Sequence, residues 1–438
     1  MSWQEVYKNK LTSLDEAAKI IKSGDRVFFP SGASTPIALI QAICKRKDEL
    51  KHVTMMGSLV FAPLDCFKRD FKGHIHYQSV FMGPAERAFY NQGNIDYTSF
   101  QFSDILWIQK NVTKPDVMIC EVSPPDENGN MSYGPHGTFS NNTCRMNAKI
   151  VIVQVNKQAP YVYATNDGFI NVNDVACICE VDHPLIELNA TAPTETERAI
   201  AGHIVSYIED GSTVQIGIGG LGNAIGYSLE HHKDLGVHTE MLVDSMLSLA
   251  QKGVITGAKK TLNPGEMSVS FAIGSADLYR YMHKNKNLKA YHIDYIANPN
   301  TIGQNDNFVS INNALSVDLT GQVCAESIGH KQFSGTGGQV DFVRGAKLSK
   351  GGKSFIAVES TYTKHDGSVH TRIQSALAPG SIVTTLRTDV HYIVTEYGVA
   401  DLKCQSIQKR VRAMINIAHP MFRDELEREA FENGLLVD

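Results

Sequence analysis

The sequence predicts an α/β protein of two related open domains, with largely parallel sheets facing across a cleft. Three observations lead there. Short apolar runs alternate with amphipathic stretches, the pattern of strand–helix units. A sequence of helix, glycine turn, strand, glycine loop and helix occurs twice. The 438 residues, 42% hydrophobic and 20% charged, suffice for two or three packed domains at about 150 residues each.

Taken in order, strands are expected at Arg26–Phe29, Val53–Met56, Val117–Cys120, Ile150–Val153, Val214–Ile216 and Tyr392–Val394. Each is short, apolar and rich in branched side chains, as buried parallel strands are. Helices are expected at Leu14–Ser23, Pro36–Arg46, Glu195–Ile208, Asn223–His232 and Ile407–His419. A small polar run with a proline, Asn189-Ala190-Thr191-Ala192-Pro193-Thr194, precedes the third helix and marks a boundary. The expected domains are therefore 1–190 and 191–438.

The repeat supports this division. Ile21-Lys22-Ser23-Gly24-Asp25-Arg26-Val27-Phe28-Phe29, followed by Pro30-Ser31-Gly32, parallels Ile208-Glu209-Asp210-Gly211-Ser212-Thr213-Val214-Gln215-Ile216, followed by Gly217-Ile218-Gly219. A later echo pairs Ala148–Val153 with Val390–Thr395. Ligands of open α/β sheets sit beyond the carboxyl ends of strands, so chemistry is expected in the glycine loops.

Composition excludes several classes. Forty-one Lys and Arg against 46 Asp and Glu give a net charge of -5, the wrong balance for a nucleic-acid surface. No stretch approaches the ~18 uncharged apolar residues of a membrane helix. The opening Met1–Lys8 has no apolar signal region, so a cytoplasmic protein is expected. Eight scattered cysteines suit neither a disulfide framework nor a zinc site. Cys177-Ile178-Cys179 is the only close pair, and no metal is expected.

Gly217-Ile218-Gly219-Gly220-Leu221-Gly222 matches G-x-G-x-x-G between a strand and a helix, with Glu240 standing 18 residues after Gly222. Read alone, this favours an NAD(P)-dependent oxidoreductase. More generally, backbone N–H groups at such a turn form an anion or oxyanion site. A second glycine loop, Phe333 to Phe342, holds Gly335, Gly337 and Gly338, which let a backbone approach a ligand closely and adopt positive φ; a tight hairpin is the alternative. Gly352-Lys353-Ser354 imitates the end of a P-loop but lacks the first glycine. Glu240 follows a polar turn, and an ionised carboxylate there can attack a thioester, whose thiolate leaves readily. Glu396 is its only rival in a comparable setting.

These segments together resemble the acetyl-CoA hydrolase/CoA-transferase family over essentially the whole chain. The most specific are Ser123-Pro124-Pro125-Asp126, Gln215–Gly219, His238-Thr239-Glu240-Met241, Ser334–Phe342, Thr395-Glu396-Tyr397-Gly398 and Asn416-Ile417-Ala418-His419-Pro420. The resemblance implies a ping-pong CoA-transferase for short-chain acids, such as 4-hydroxybutyrate or butyrate with acetyl-CoA and acetate. It makes Glu240 the catalytic glutamate. It also places Gly217, Ile218, Gly219, Gly220 and Leu221, with Gly335, Gly337 and Gly338, around CoA. Coenzyme A is then a substrate; no further cofactor is implied, and a cytoplasmic homodimer or higher homo-oligomer is. Many members carry proline where this chain has Gly222, so a looser turn is expected. An acyl-CoA hydrolase is the nearest chemical alternative, and a CoA-binding module without turnover is another. Glu396-Tyr397-Gly398 reads as packing.

Overall fold

In a computed structural model the chain is described at residues 1–30, 32–165, 168–188, 191–217 and 219–437. It divides into two compact units. One comprises Met1–Asn189, Glu240–Leu242 and Ser268–Ile296, the other Ala190–Thr239, Val243–Met267 and Ala297–Asp438.

The first sheet has seven strands: β1 (Arg26–Phe28), β2 (Val53–Gly57), β3 (Ile75–Ser79), β4 (Ile95–Tyr97), β5 (Val117–Val122), β6 (Ile150–Val155) and β7 (Cys177–Glu180). Their order is β4-β3-β2-β1-β5-β6-β7, and all pairings are parallel. Apolar side chains fill both faces, as a parallel sheet between helical layers requires. Along β5, Val117 and Ile119 enter one core while Met118, Cys120 and Val122 enter another. The helix Ile37–Cys44 (α1) buries Leu39, Ile40 and Ile43 on the first of these.

The second sheet has eight strands: β8 (Thr213–Ile216), β9 (Gly236–Leu242), β10 (Met267–Ala272), β11 (Leu288–Ala290), β12 (Phe308–Asn313), β13 (Lys353–Ala357), β14 (Tyr392–Thr395) and β15 (Gly398–Asp401). The order β11-β10-β9-β8-β12-β13-β14-β15 repeats the first sheet's topology and adds an antiparallel edge strand. The two glycine-turn segments do occupy equivalent strands, β1 and β8. The echo between Ala148–Val153 and Val390–Thr395 is out by one strand. By position β6 corresponds to β13, and β14 to β7. Short apolar runs on neighbouring parallel strands carry too little individual pattern to tell adjacent strands apart.

The helix Glu195–Val205 (α2) starts where the polar run ends. Thr194 caps it with a complete capping box to Glu197, satisfying two backbone donors that helix entry leaves open. The helices Gly220–Ser228 (α3) and Gln339–Leu348 (α4) follow the two glycine loops. The C-terminal helices Ile407–Asn416 (α5) and Pro420–Glu432 (α6) close the apolar core around Val411, Met414 and Leu426. Several helices differ from expectation at their ends: Leu14–Ser23 shortens to Leu14–Ala18, and Asn223–His232 begins at Gly220. No described helix is long and apolar enough to cross a membrane.

Candidate active site

In the second sheet, the direction of strand addition reverses at β8. From β8 the chain adds β9, β10 and β11 on one side and returns on the other with β12. The carboxyl ends of β8 and β12 therefore flank a topological switch point, where open α/β sheets bind ligands. The two strands are parallel and in register from Thr213↔Phe308 to Ile216↔Ile311. Gly217 extends the pairing, its N–H donating to the Ile311 carbonyl at 2.9 Å.

The loop beyond β8 requires its glycines. Gly219 has φ +107, a conformation side chains rarely tolerate. A Cβ on Gly220 would stand 2.2 Å from the Glu197 carboxylate, and one on Gly222 would stand 2.0 Å from the Gly217 carbonyl oxygen. The turn at Gly222 is thus tight, contrary to the looser one expected, because α3 is drawn directly against its own entry loop. Gly219 is the N-cap of α3 and supplies no side-chain hydrogen bond. A helix entry with no side-chain cap is one whose first N–H groups can take a ligand oxygen. Gly217, Gly219, Gly220 and Leu221 are thereby gathered at one helix entry, while Ile218 lies outside the described residues.

Beneath the loop is a buried amide cluster. The Gln215 side-chain Oε1 accepts from the Ser310 hydroxyl at 2.9 Å and the Asn312 amide at 3.3 Å, and Asn312 also donates to the Ser310 hydroxyl at 2.9 Å. The cluster fixes the ends of β8 and β12 against each other. It escaped sequence reasoning because the residues lie far apart in the chain.

Gly335, Gly337 and Gly338 do not form the tight hairpin that was the alternative to a ligand loop. They lead into α4, for which Gly338 is the N-cap, and α4 packs on β12 and β13. In a crossover between parallel strands the helix runs antiparallel to them, so its start lies at the carboxyl edge of the sheet. Both glycine loops thus share that edge. The actual hairpin, Ser327–Ile328 with Lys331–Gln332, immediately precedes the loop.

Glu240 sits within β9, not after a turn, and is partly buried. β9 pairs with β8 at Thr213↔Gly236 and Val214↔Val237. Gly217 lies three residues past Val214, and Glu240 three past Val237. The base of β9 is held by Lys260, whose buried ammonium donates to the Val237 carbonyl at 2.9 Å and the Glu266 carbonyl at 2.7 Å. Burial pushes this lysine down to about 8.

The rival carboxylate, Glu396, accepts from both the backbone N–H and the hydroxyl of Ser360. It ties the turn between β14 and β15, the packing role read from its sequence setting. Burial raises the Cys177 thiol to about 11 and the Cys179 thiol to about 12, far from the thiolate range of a nucleophile. Among the described residues, no group of three or more His, Cys, Asp or Glu is placed to hold a metal.

One polar constellation in the first unit was not anticipated. Fully buried Glu121 on β5 contacts His183 Nε2 at 2.5 Å, and Gln154 of β6 donates to the same carboxylate at 2.8 Å. The hydrogen bond that the imidazole donates to the Glu121 carboxylate raises His183 above its ordinary range. The only sequence signal was an acid inside the apolar run Val117–Val122. A pocket of about 440 Å³ opens nearby, walled by Ser123, Pro124, Tyr161, Leu185 and Tyr279.

The G-x-G-x-x-G geometry and the strand order would suit a dinucleotide site as well, so comparison with known proteins decides. The N-terminal domain model of the acetyl-CoA hydrolase/transferase family matches residues 1–188, and its C-terminal domain model matches 274–430. The chain belongs to the acetyl-CoA hydrolase/transferase family. It is a CoA-transferase-type enzyme like the relatives that match it end to end. A 4-hydroxybutyrate coenzyme A transferase of Clostridium kluyveri is 42% identical, over 98% of this chain and 99% of the relative. A butyryl-CoA:acetate CoA-transferase of Anaerostipes caccae is 41% identical over 98% of each. Among solved structures, 4-hydroxybutyrate CoA-transferase from Porphyromonas gingivalis superposes with TM-score 0.84 at 34% identity, over 99% of this chain and 100% of the other. RipA from Yersinia pestis gives 0.94 at 33% identity over the whole of both.

Proposed function

We propose that this enzyme moves CoA between a short-chain acyl-CoA and a carboxylic acid, with 4-hydroxybutyrate or butyrate exchanging against acetyl-CoA and acetate. The reaction runs through a thioester on Glu240. The observation that carries the reading is the uncapped glycine loop of α3 at the switch point between β8 and β12, with β9, the strand that holds Glu240, next to β8 in the sheet. The full-length relatives named for such exchanges support the substrate class.

In the proposed cycle, a Glu240 carboxylate oxygen attacks the acyl-CoA carbonyl carbon. The C–S bond breaks, giving an acyl-glutamyl anhydride and CoA thiolate. The thiolate then attacks the glutamyl carbonyl and expels the first acid as its carboxylate, leaving a glutamyl-CoA thioester. A second carboxylate attacks that thioester, releases CoA thiolate and forms a new mixed anhydride. Thiolate attack on its acyl carbonyl yields the new acyl-CoA and restores Glu240. Charge is conserved throughout, and each energy-rich bond is exchanged for another. Backbone N–H groups of the two glycine loops stabilise the oxyanions, each such donor contributing about 3 kcal/mol.

The family description also names hydrolysis, in which water replaces the acceptor acid at the glutamyl thioester. Butyryl-CoA incubated with and without acetate separates the readings. Acetate-dependent formation of acetyl-CoA supports transfer, and CoA release indifferent to acetate supports hydrolysis. A cytoplasmic homo-oligomer belongs to the same proposal, with light scattering as the check on assembly.

A further inference from the structure

We infer that Glu326 is the positioning residue that holds the Gly335–Gly338 loop in its binding geometry, an inference that rests on that loop lining CoA. Glu326 is buried, 2% exposed, between the short strand Val323–Cys324 and the hairpin that begins at Ser327. Its backbone carbonyl accepts from Phe333 N–H at 2.8 Å and Ser334 N–H at 3.2 Å. Its carboxylate accepts from the Thr336 hydroxyl at 3.2 Å, the Thr384 hydroxyl at 3.0 Å and the Gln332 amide at 3.4 Å. One residue therefore grips both the start and the middle of the loop.

The sequence explains why an external grip is needed. In Gly335-Thr336-Gly337-Gly338, three of four residues are glycine, and Gly337 stands at φ +60. Glycine permits this path but does not enforce it, since it populates alternatives as readily. Thr336 carries the only side chain in the stretch, so it is the one handle by which the backbone amides can be set from outside. The Gln332 amide also donates to the Ser334 carbonyl at 2.8 Å, coupling the hairpin to the same acid. Thr384 Oγ1 in turn accepts from Ala325 N–H at 3.0 Å, so the acid's other partner is itself fixed. Glu326 has no place among the reacting groups; its action on catalysis passes through Thr336.

The experiment uses the full chain carrying Glu326→Gln, Thr336→Val, both together, or Thr336→Ser. Hydrogen–deuterium exchange is read at 333–338, and steady-state constants are measured separately for acyl-CoA and for acetate. Glu326→Gln and Thr336→Val are expected to speed amide exchange in this loop and to lower kcat/KM for acyl-CoA about 10- to 100-fold, with KM for acetate unchanged. The double variant should lose no more than the worse single one, and Thr336→Ser should keep near wild-type values. Unchanged amide exchange in both single variants, or additive losses in the double, overturns the inference. A wild-type protein that exchanges no CoA at all overturns the functional reading instead, a separable result.

Discussion

Lys260 Nζ donates to the carbonyl of Val237 at 2.9 Å, tying a buried cation to the strand that carries Glu240 three residues later. Burial lowers this ammonium from 10.5 to about 8. Between those values the unfolded chain binds more protons than the folded one, so the contribution of Lys260 to stability rises with pH in that window. Below about 8 it is a constant penalty. Urea midpoints of wild type and Lys260→Met, taken at pH 7.5 and 9.5, should show wild type gaining on the variant at the higher pH. A difference that stays flat contradicts the assignment.

The Glu121–His183 pair has the opposite sign. With the imidazole raised by Glu121, its stabilisation is complete below the ordinary histidine value near 6.5 and is lost as pH climbs through the folded value. His183→Gln is expected to cost roughly 2 kcal/mol at pH 6, the scale of a hydrogen bond to a charged group. The gap should narrow at pH 8.5, as read by chemical denaturation.

Gly222→Ala places a methyl group 2.0 Å from the Gly217 carbonyl oxygen. The obstacle is backbone, so the start of α3 must shift away from β8. Overpacking of this kind costs about 1–3 kcal/mol. CoA exchange should fall more steeply than stability, because the displaced N–H groups are those proposed to face the reacting carbonyl. A variant with wild-type exchange rates would falsify the role given to this loop.

Thr194→Ala removes the capping box of α2. Stability should drop by about 1 kcal/mol, with kcat and KM unmoved. Thermal unfolding alongside the exchange assay makes this a control for the glycine and glutamate variants.

Six of the fifteen strands in the two sheets, β1, β2, β5, β6, β8 and β14, were legible because buried parallel strands are written as apolar runs, and the shared topology showed through Gly24 and Gly211. The loop at 217–222 was legible because its glycines are demanded by a positive φ and by close approach. Other features depend on long-range pairing. Glu121 meets His183, and Gln215 meets Ser310, only after strands distant in sequence have aligned. For Gly335–Gly338 composition alone left a ligand loop and a tight hairpin both open, because glycine serves helix entries and turns alike; the hairpin falls on the neighbouring residues 327–332. Glu240 was singled out by type and motif, while its position inside β9 was not readable from a setting that looked like the end of a polar turn.

Covalent chemistry at Glu240 is the step on which the proposed exchange depends. The protein should be incubated with acetyl-CoA, treated with borohydride, digested and sequenced by mass spectrometry, with Glu240→Gln in parallel. Reduction of a glutamyl-CoA thioester should convert the Glu240 side chain to the corresponding alcohol in wild type, with no such product in the variant. Modification at another carboxylate, or full CoA exchange by Glu240→Gln, would contradict the account.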